Sequence, residues 1–364
     1  MLIDIATSLP PYRVNQAKAA EELKKRMAER PAVARMIDMA ASHSGIDSRY
    51  VVVPDAEENP EIKFYSKDIA LPGTKLRMQE YEKWSKELTV KAVKDLFDKT
   101  NFSPAGIGRL ITISCTGFFA PGLDYHLMKT FGIPACTQRT NIGFMGCAAS
   151  IIGFTSVLEA MNSARNSSAP NTLLVSVELC SLHLQMQPTR DNILANIIFA
   201  DGCAAALFSN LRTVSAAKPR LELLATRSVL FDNSDQFMGW KIGDFGFEMM
   251  LSSELPNIIL REAVPALLKI IDEMGLSRNS IKYWALHPGG RAILDAMQTG
   301  IGLSDGEMAA SRAVLNNYGN MSSASILFVM KELLEKENFE KGDILLAVAF
   351  GPGLTMETAF FRGV

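Results

Sequence analysis

Cys147 lies in the segment NIGFMGCAASIIGF, behind Gly143 and Gly146 and at the head of a long apolar stretch with helical character. A helix N-terminus presents unpaired N–H groups and the positive end of a dipole, which lowers a thiol's pKa and favours the nucleophilic thiolate. Glycines ahead of it allow a tight turn that bares the sulfur. A free cysteine is also a small hydrophobe suited to a core, and this segment alone leaves both readings open. His287 closes the run YWALH and precedes Pro288-Gly289-Gly290. A histidine at the carboxyl end of a strand, in a loop that permits close backbone approach, stands where α/β proteins keep reactive groups. Local hydrogen bonds to carbonyls would explain it equally well. Asn320, in NNYGNMSSAS, follows a glycine and heads another apolar run, which also suits a plain helix N-cap. A thiol nucleophile with a base and an amide donor would be a covalent-catalysis set.

Other chemistries lack their signatures. No GK dipeptide, HExxH or strand-following GxGxxG occurs, so phosphate-loop nucleotide hydrolysis and zincin chemistry are poorly supported. The five cysteines are an odd number without CxxC or other zinc-type spacing, so free thiols in a reducing cytoplasm are expected, with no metal site. Lys plus Arg is 37 and Asp plus Glu 39. With that balance, no global basic excess points to nucleic acid or an anionic membrane. The longest uncharged run, residues 140–158, carries Asn, Ser, Thr and three Gly, and reads as a buried helix with its leading turn rather than a membrane span. The start, MLIDIATSLPPYRV, has Asp4 inside its apolar stretch and no basic leader, so no secretory signal is expected.

These residues need elements to hold them. The 364 residues are 48% apolar, enough for two domains or one large one with a sizeable core. The first hundred are rich in helix formers, with a break at Pro31 and a polar, proline-containing loop over 55–75. Strands are expected at 110–115, 172–179, 203–209, 221–226, 282–287, 343–350 and 354–361. Helices are expected at 81–100, 121–132, from 147 to about 164, at 256–275, from 291, and at 322–336. The alternation indicates α/β layers with a mixed sheet in each half. The polar segment 211–220, with Pro219, is the best junction and divides the chain into 1–215 and 216–364.

GFMGCAAS, YWALHPGGRAILD, YGNMSSASILF and AFGPGLTMET, in this order and spacing, resemble the type III polyketide synthases, the chalcone-synthase-like branch of the thiolase fold. SLPPYRVNQ, SCTGFFAPGLDYHL and FADGCAAALF match as well, so the resemblance spans residues 4 to 361, and its look is bacterial rather than plant. It implies two similar βαβαβ-type halves with buried mixed sheets in a layered α-β-α-β-α arrangement, and a homodimer. It further implies that Cys147 holds an acyl starter and that malonyl-CoA is decarboxylated. His287 and Asn320 would then stabilise the enolate that extends the chain.

By the same resemblance Phe199 is a gatekeeper, and Phe247 and Met249 both remain open for the second gate. Cys115, Cys180, His183 and Ser322 fall at cavity-shaping places, while Cys136 and Cys203 are left as core filler. Ala120 stands where the plant enzymes carry a methionine, which implies a roomier pocket and a longer, aliphatic starter. Gly290 and Ala292 would line the coenzyme A tunnel. The expected basic grip on the N-terminal helix is reduced to Arg35 and His43, so an acyl carrier protein is an alternative donor. No resident cofactor is expected. Three alternatives stand beside this reading: a ketoacyl-ACP synthase III-like enzyme, a non-catalytic acyl-binding subunit of the same fold, and a cysteine hydrolase. The first typically follows its histidine with Gln-Ala-Asn, where this chain has Pro-Gly-Gly.

Overall fold

Continuous apolar runs become strands covered on both faces. The computed structural model describes residues 1–28, 30–53, 64–65, 71–163, 171–209 and 221–364. Its strands in chain order are β1 (Leu2–Ser8), β2 (Tyr12–Asn15), β3 (Ser48–Val51), β4 (Ile107–Ser114), β5 (Gln138–Gly143), β6 (Asn171–Leu179) and β7 (Asp201–Phe208). They continue as β8 (Leu221–Leu230), β9 (Met238–Gly243), β10 (Gly246–Leu251), β11 (Ile281–Leu286), β12 (Ile344–Gly351) and β13 (Thr355–Gly363). Every residue of β7 and β12 is buried.

Nine strands form one mixed sheet in the order β11-β12-β13-β8-β1-β7-β6-β4-β5. From β1 outward, β7 is antiparallel, β6 antiparallel to it, and β4 parallel to β6. From β8 outward, β13, β12 and β11 repeat those directions. Among the described residues, the second set lacks a counterpart of β5, and the strands of the two sets pair only at Leu2 and Leu221. This is the expected duplication, with one corner joining what would otherwise be two sheets. The expected junction at residue 215 and most of the 55–75 loop lie outside the described residues.

The helices Ala149–Ser163 and Ser325–Lys336 fill the middle layer, each packing on strands of both sets. Their core unites Phe154, Ile326 and Val329 with Ile111, Leu174 and Leu345 of the strands. Two further cores lie outside the sheets. One joins Leu88, Leu96 and Leu127 to Leu173 and Val177; the other joins Leu267, Leu294 and Met297 to Trp284 and Leu346. Three cores between five layers reproduce the α-β-α-β-α arrangement. The expected helix over 256–275 is Leu255–Ile258 and Val264–Glu273, joined by a π-helical turn at Ile259–Ala263. Among the described residues, no helix is long and apolar enough to cross a membrane.

Candidate active site

Cys147 sits in a 3-10 turn, Gly146–Ala148, between the carboxyl end of β5 and the helix Ala149–Ser163. Gly146 has φ +60, and a Cβ there would stand 2.4 Å from Pro352 Cδ, so the turn admits only glycine. In the other half the turn Ser322–Ala324 leads into Ser325–Lys336 in the same way. The two turns touch. Two central helix N-termini therefore point at one spot, which favours an anion there. Ser322 carries φ +47, a strained backbone for a non-glycine residue, and its Oγ lies 3.7 Å from Cys147 Sγ.

Asn320 is held by its neighbours. Its Oδ1 accepts the Ser322 N–H at 2.8 Å, which fixes the orientation of the amide. Nδ2 then donates to the Gly289 carbonyl at 3.2 Å and stands 4.0 Å from Cys147 Sγ. One amide proton goes to Gly289 and the second is directed to Cys147 Sγ, on the cavity side. His287 follows β11, with its backbone N–H donating to Val348 O at 2.9 Å. Its ring is buried, and among the described residues neither Nδ1 nor Nε2 has a hydrogen-bond partner. Cys147, His287 and Asn320 all line one cavity of about 290 Å³. The three residues singled out from the sequence are thus brought together from both halves.

Burial outweighs the helix N-terminus in setting the resting charges. It pushes the Cys147 thiol up to about 11, against the opposing hydrogen bonds of Ser322 and Asn320. It pushes the His287 imidazole down to about 3. The free site holds a thiol beside a neutral imidazole, not the low-pKa thiol that the helix position alone predicts. Glu178, wholly buried beneath the two turns, is raised to about 7 by burial. Its carboxyl accepts from Cys115 N–H, Thr116 Oγ1 and the Ser323 hydroxyl, tying both halves together.

The hairpin β9–β10 closes one side. Its inward residues alternate, as a strand's must: Met238, Met249 and Leu251 line the main cavity. Phe199, following the helix Arg190–Ile198, lines it too and bridges to Asn320. Arg49 fixes Phe199 by donating to its carbonyl and to that of Asn196. Two inner cavities of about 30 and 20 Å³ lie beyond, and Phe199 and Met249 line both of these as well. Of the two residues left open for the second gate, Met249 shares all three cavity linings with Phe199. Phe247 is buried against His183, with ring centroids 4.2 Å apart.

Cys115, Cys180 and Ser322 line the 30 Å³ cavity, and Cys180 and His183 the 20 Å³ one. His183 has both nitrogens occupied, Nε2 on Thr116 O at 2.6 Å and Nδ1 accepting from Phe247 N–H at 3.0 Å. Burial holds it neutral, at about 3. Gly290 and Ala292 line the outer cavity with His43, but Arg35 does not. The helix Pro31–Ser42 buries only Ile37 and leaves Arg35 exposed. Among the described residues that line the outer cavity, the arginines are Arg190 and Arg291, each the first residue of its helix. Ala120 is exposed and lines none of the three cavities. Cys203 is buried as expected of filler, whereas Cys136 is exposed.

Comparison with known proteins agrees over the whole length. Residues 64–236 match the FAE1/type III polyketide synthase-like family, and residues 222–364 the C-terminal domain of chalcone and stilbene synthases. A putative chalcone synthase of Bacillus subtilis is 29% identical, covering 99% of this chain and 98% of that protein. The alpha-pyrone synthesis polyketide synthase-like Pks18 of Mycobacterium tuberculosis is 28% identical, covering 98% of this chain and 89% of that one. Among solved structures, PKS-I of the brown alga Ectocarpus siliculosus superposes with a TM-score of 0.89 at 28% identity, covering 100% of this chain and 98% of its own. The 1,3,6,8-tetrahydroxynaphthalene synthase of Streptomyces coelicolor gives 0.86 at 26%, covering 100% and 99%. Fold and comparisons define an acyltransferase with the thiolase architecture. The chain belongs to the type III polyketide synthases.

Proposed function

We propose that this enzyme holds an aliphatic acyl starter on Cys147 and extends it by repeated decarboxylative condensation with malonyl-CoA. The observation that carries the reading is the convergence of Cys147, His287 and Asn320 on one cavity. As the starter thioester arrives, the neutral His287 ring takes the thiol proton, and the thiolate attacks the thioester carbon. The C–S bond to the carrier breaks, and the proton returns to the departing carrier thiolate. A malonyl thioester then loses carbon dioxide, and the electron pair of the broken C–C bond becomes an enolate. His287 N–H and the second Asn320 amide proton hold its oxygen. The enolate carbon attacks the Cys147 thioester, and the thiolate leaves ready for transfer of the longer chain.

The walls favour an alkyl group over a polar one, because Met238, Leu251, Leu255, Ile259 and Phe350 line the cavity below the mouth. An alkylpyrone, alkylresorcinol or resorcylic product follows from such a starter, and the alpha-pyrone role in the name of the mycobacterial relative supports the first. The carrier is coenzyme A or an acyl carrier protein, either of which brings phosphate to Arg190 and Arg291. The open edge of β5, with Phe118 and Met145 exposed beside it, supports a homodimer. The test is incubation with a series of acyl thioesters, with mass spectrometry of the protein and Cys147→Ala as control.

A further inference from the structure

We infer that Gln16 is a positioning residue: it braces the end of the helix Arg190–Ile198, where Phe199 meets Asn320, against a second wall of the cavity. This rests on the roles proposed for Phe199 and Asn320. A helix leaves its last four carbonyls without partners of its own. Here they are those of Asn196, Ile197, Ile198 and Phe199, because the last N–H bonded within the helix is that of Phe199, to Ala195 O. All four accept from residues far along the chain. Gln16 Nε2 donates to Ile197 O at 2.9 Å. Arg49 Nη1 donates to Asn196 O at 2.9 Å and to Phe199 O. The Asn320 N–H donates to Ile198 O at 3.0 Å, and Ala200 N–H returns a bond to Asn320 O at 2.9 Å. The gate and the asparagine that donates in the site therefore share one helix end, and Gln16 is one of its three outside holds.

Gln16 opens the helix Gln16–Met27, is only 4% exposed, and lines none of the three cavities of the site. Its amide is fully used. Oε1 accepts from Arg49 Nε at 3.0 Å, which fixes the amide's orientation, since a guanidinium only donates. The second Nε2 proton goes to Ser44 Oγ at 3.2 Å. Ser44 lines the outer cavity just beyond the helix Pro31–Ser42, while Leu194 and Ile198 line it from the gate helix. One amide thus joins two walls of that cavity and steadies the arginine that holds the rest of the helix end. Gly319 shows how closely the arginine is set. It has φ +70, and a Cβ there would stand 2.9 Å from Arg49 Cγ and Cδ, one residue before Asn320. A displacement of Gln16 passes to Phe199 and Asn320 through this network, not through contact with substrate.

The experiment compares the parent with Gln16→Glu, Gln16→Asn and Thr89→Val. Gln16→Glu keeps an acceptor for Arg49 but sets a carboxylate against the Ile197 carbonyl in place of two donors. Gln16→Asn adds no charge and draws the amide back by one methylene. Thr89→Val is the stability control: it removes a buried hydroxyl that donates to Ser85 O within the helix Thr74–Thr100 and lines no cavity of the site. Thermal melts report folding. Carbon dioxide release from malonyl-CoA gives kcat, and long and short acyl thioesters give a ratio of kcat/KM. Gln16→Glu should lower kcat about tenfold or more, since a misplacement of about 1 Å remote from the chemistry can cost about a hundredfold. It should also change the starter ratio, while Thr89→Val keeps the parent's kcat and ratio. A folded Gln16→Glu with parent kcat and ratio would overturn the inference, and so would an equal fall in Thr89→Val. If Gln16→Glu does not fold, Gln16→Asn decides by the same criterion. A parent that releases no carbon dioxide from malonyl-CoA would refute the underlying reading, and the inference with it.

Discussion

Removing the amide of Asn320 should separate catalysis from stability in a measurable way. Nδ2 is an oriented donor 4.0 Å from Cys147 Sγ, and Oδ1 is the acceptor for the buried Ser322 N–H. In Asn320→Ala both go. Loss of one donor to a developing oxyanion lowers the rate about 10²- to 10³-fold, roughly 3–4 kcal/mol. The orphaned Ser322 N–H costs about 1–3 kcal/mol of stability in addition. The Gly289 carbonyl adds little, because it is partly open to water. Asn320→Asp keeps an acceptor for Ser322 and replaces only the donor, so it should lose rate with a smaller loss of stability. The assay is carbon dioxide release from malonyl-CoA without starter, alongside a denaturant melt of each variant. Decarboxylation by a folded Asn320→Asp variant within about tenfold of the parent, under about 1.4 kcal/mol of barrier, would refute the role.

Two other outcomes follow from charge. Reversing Arg190 and Arg291 together to Glu should raise KM for a coenzyme A thioester roughly ten- to a hundredfold with little change in kcat, as expected from losing charge-assisted bonds to phosphate. Arg35→Glu should change neither, since Arg35 lies off the cavity. His287, held down at about 3 by burial, stays neutral far below the ordinary 6.5. In Cys147→Ala, decarboxylation should therefore show no inflection between about pH 8 and pH 5, and an inflection near the unperturbed histidine value would contradict the burial argument. The same shift has a sign for stability. The unfolded chain gains a proton on this histidine as pH falls through 6.5 while the fold does not, so its contribution falls with acid.

The residues that carry the proposed chemistry were legible because each ends or begins an element within a short, distinctive phrase. Cys147 opens a helix after Gly146, His287 ends β11, and Asn320 precedes the turn into Ser325–Lys336. The mirrored strand order was foreshadowed by the buried runs of each half. The β9–β10 hairpin was missed, although GDFG between MGWKI and FEMML is a turn between alternating faces. Glycines and charges among those apolar positions weaken the signal of a run. Without the hairpin, Met238 and Leu251 had no visible relation to Cys147. Arg190 and Arg291 were missed because their role depends on two helix starts meeting at one mouth, which no local spacing reveals. Thiol acidity failed for the opposite reason: the helix N-terminus is readable locally, while depth of burial is not.

The most direct test is the mass of the protein after reaction with an acyl thioester in the absence of malonyl-CoA. The account predicts a single acyl adduct on the peptide containing Cys147. It should form with long aliphatic starters better than with short aromatic ones, be lost in Cys147→Ala, and be discharged with chain growth once malonyl-CoA is added. An adduct on another cysteine, such as exposed Cys136, would contradict it. So would labelled product forming at the parent rate in Cys147→Ala.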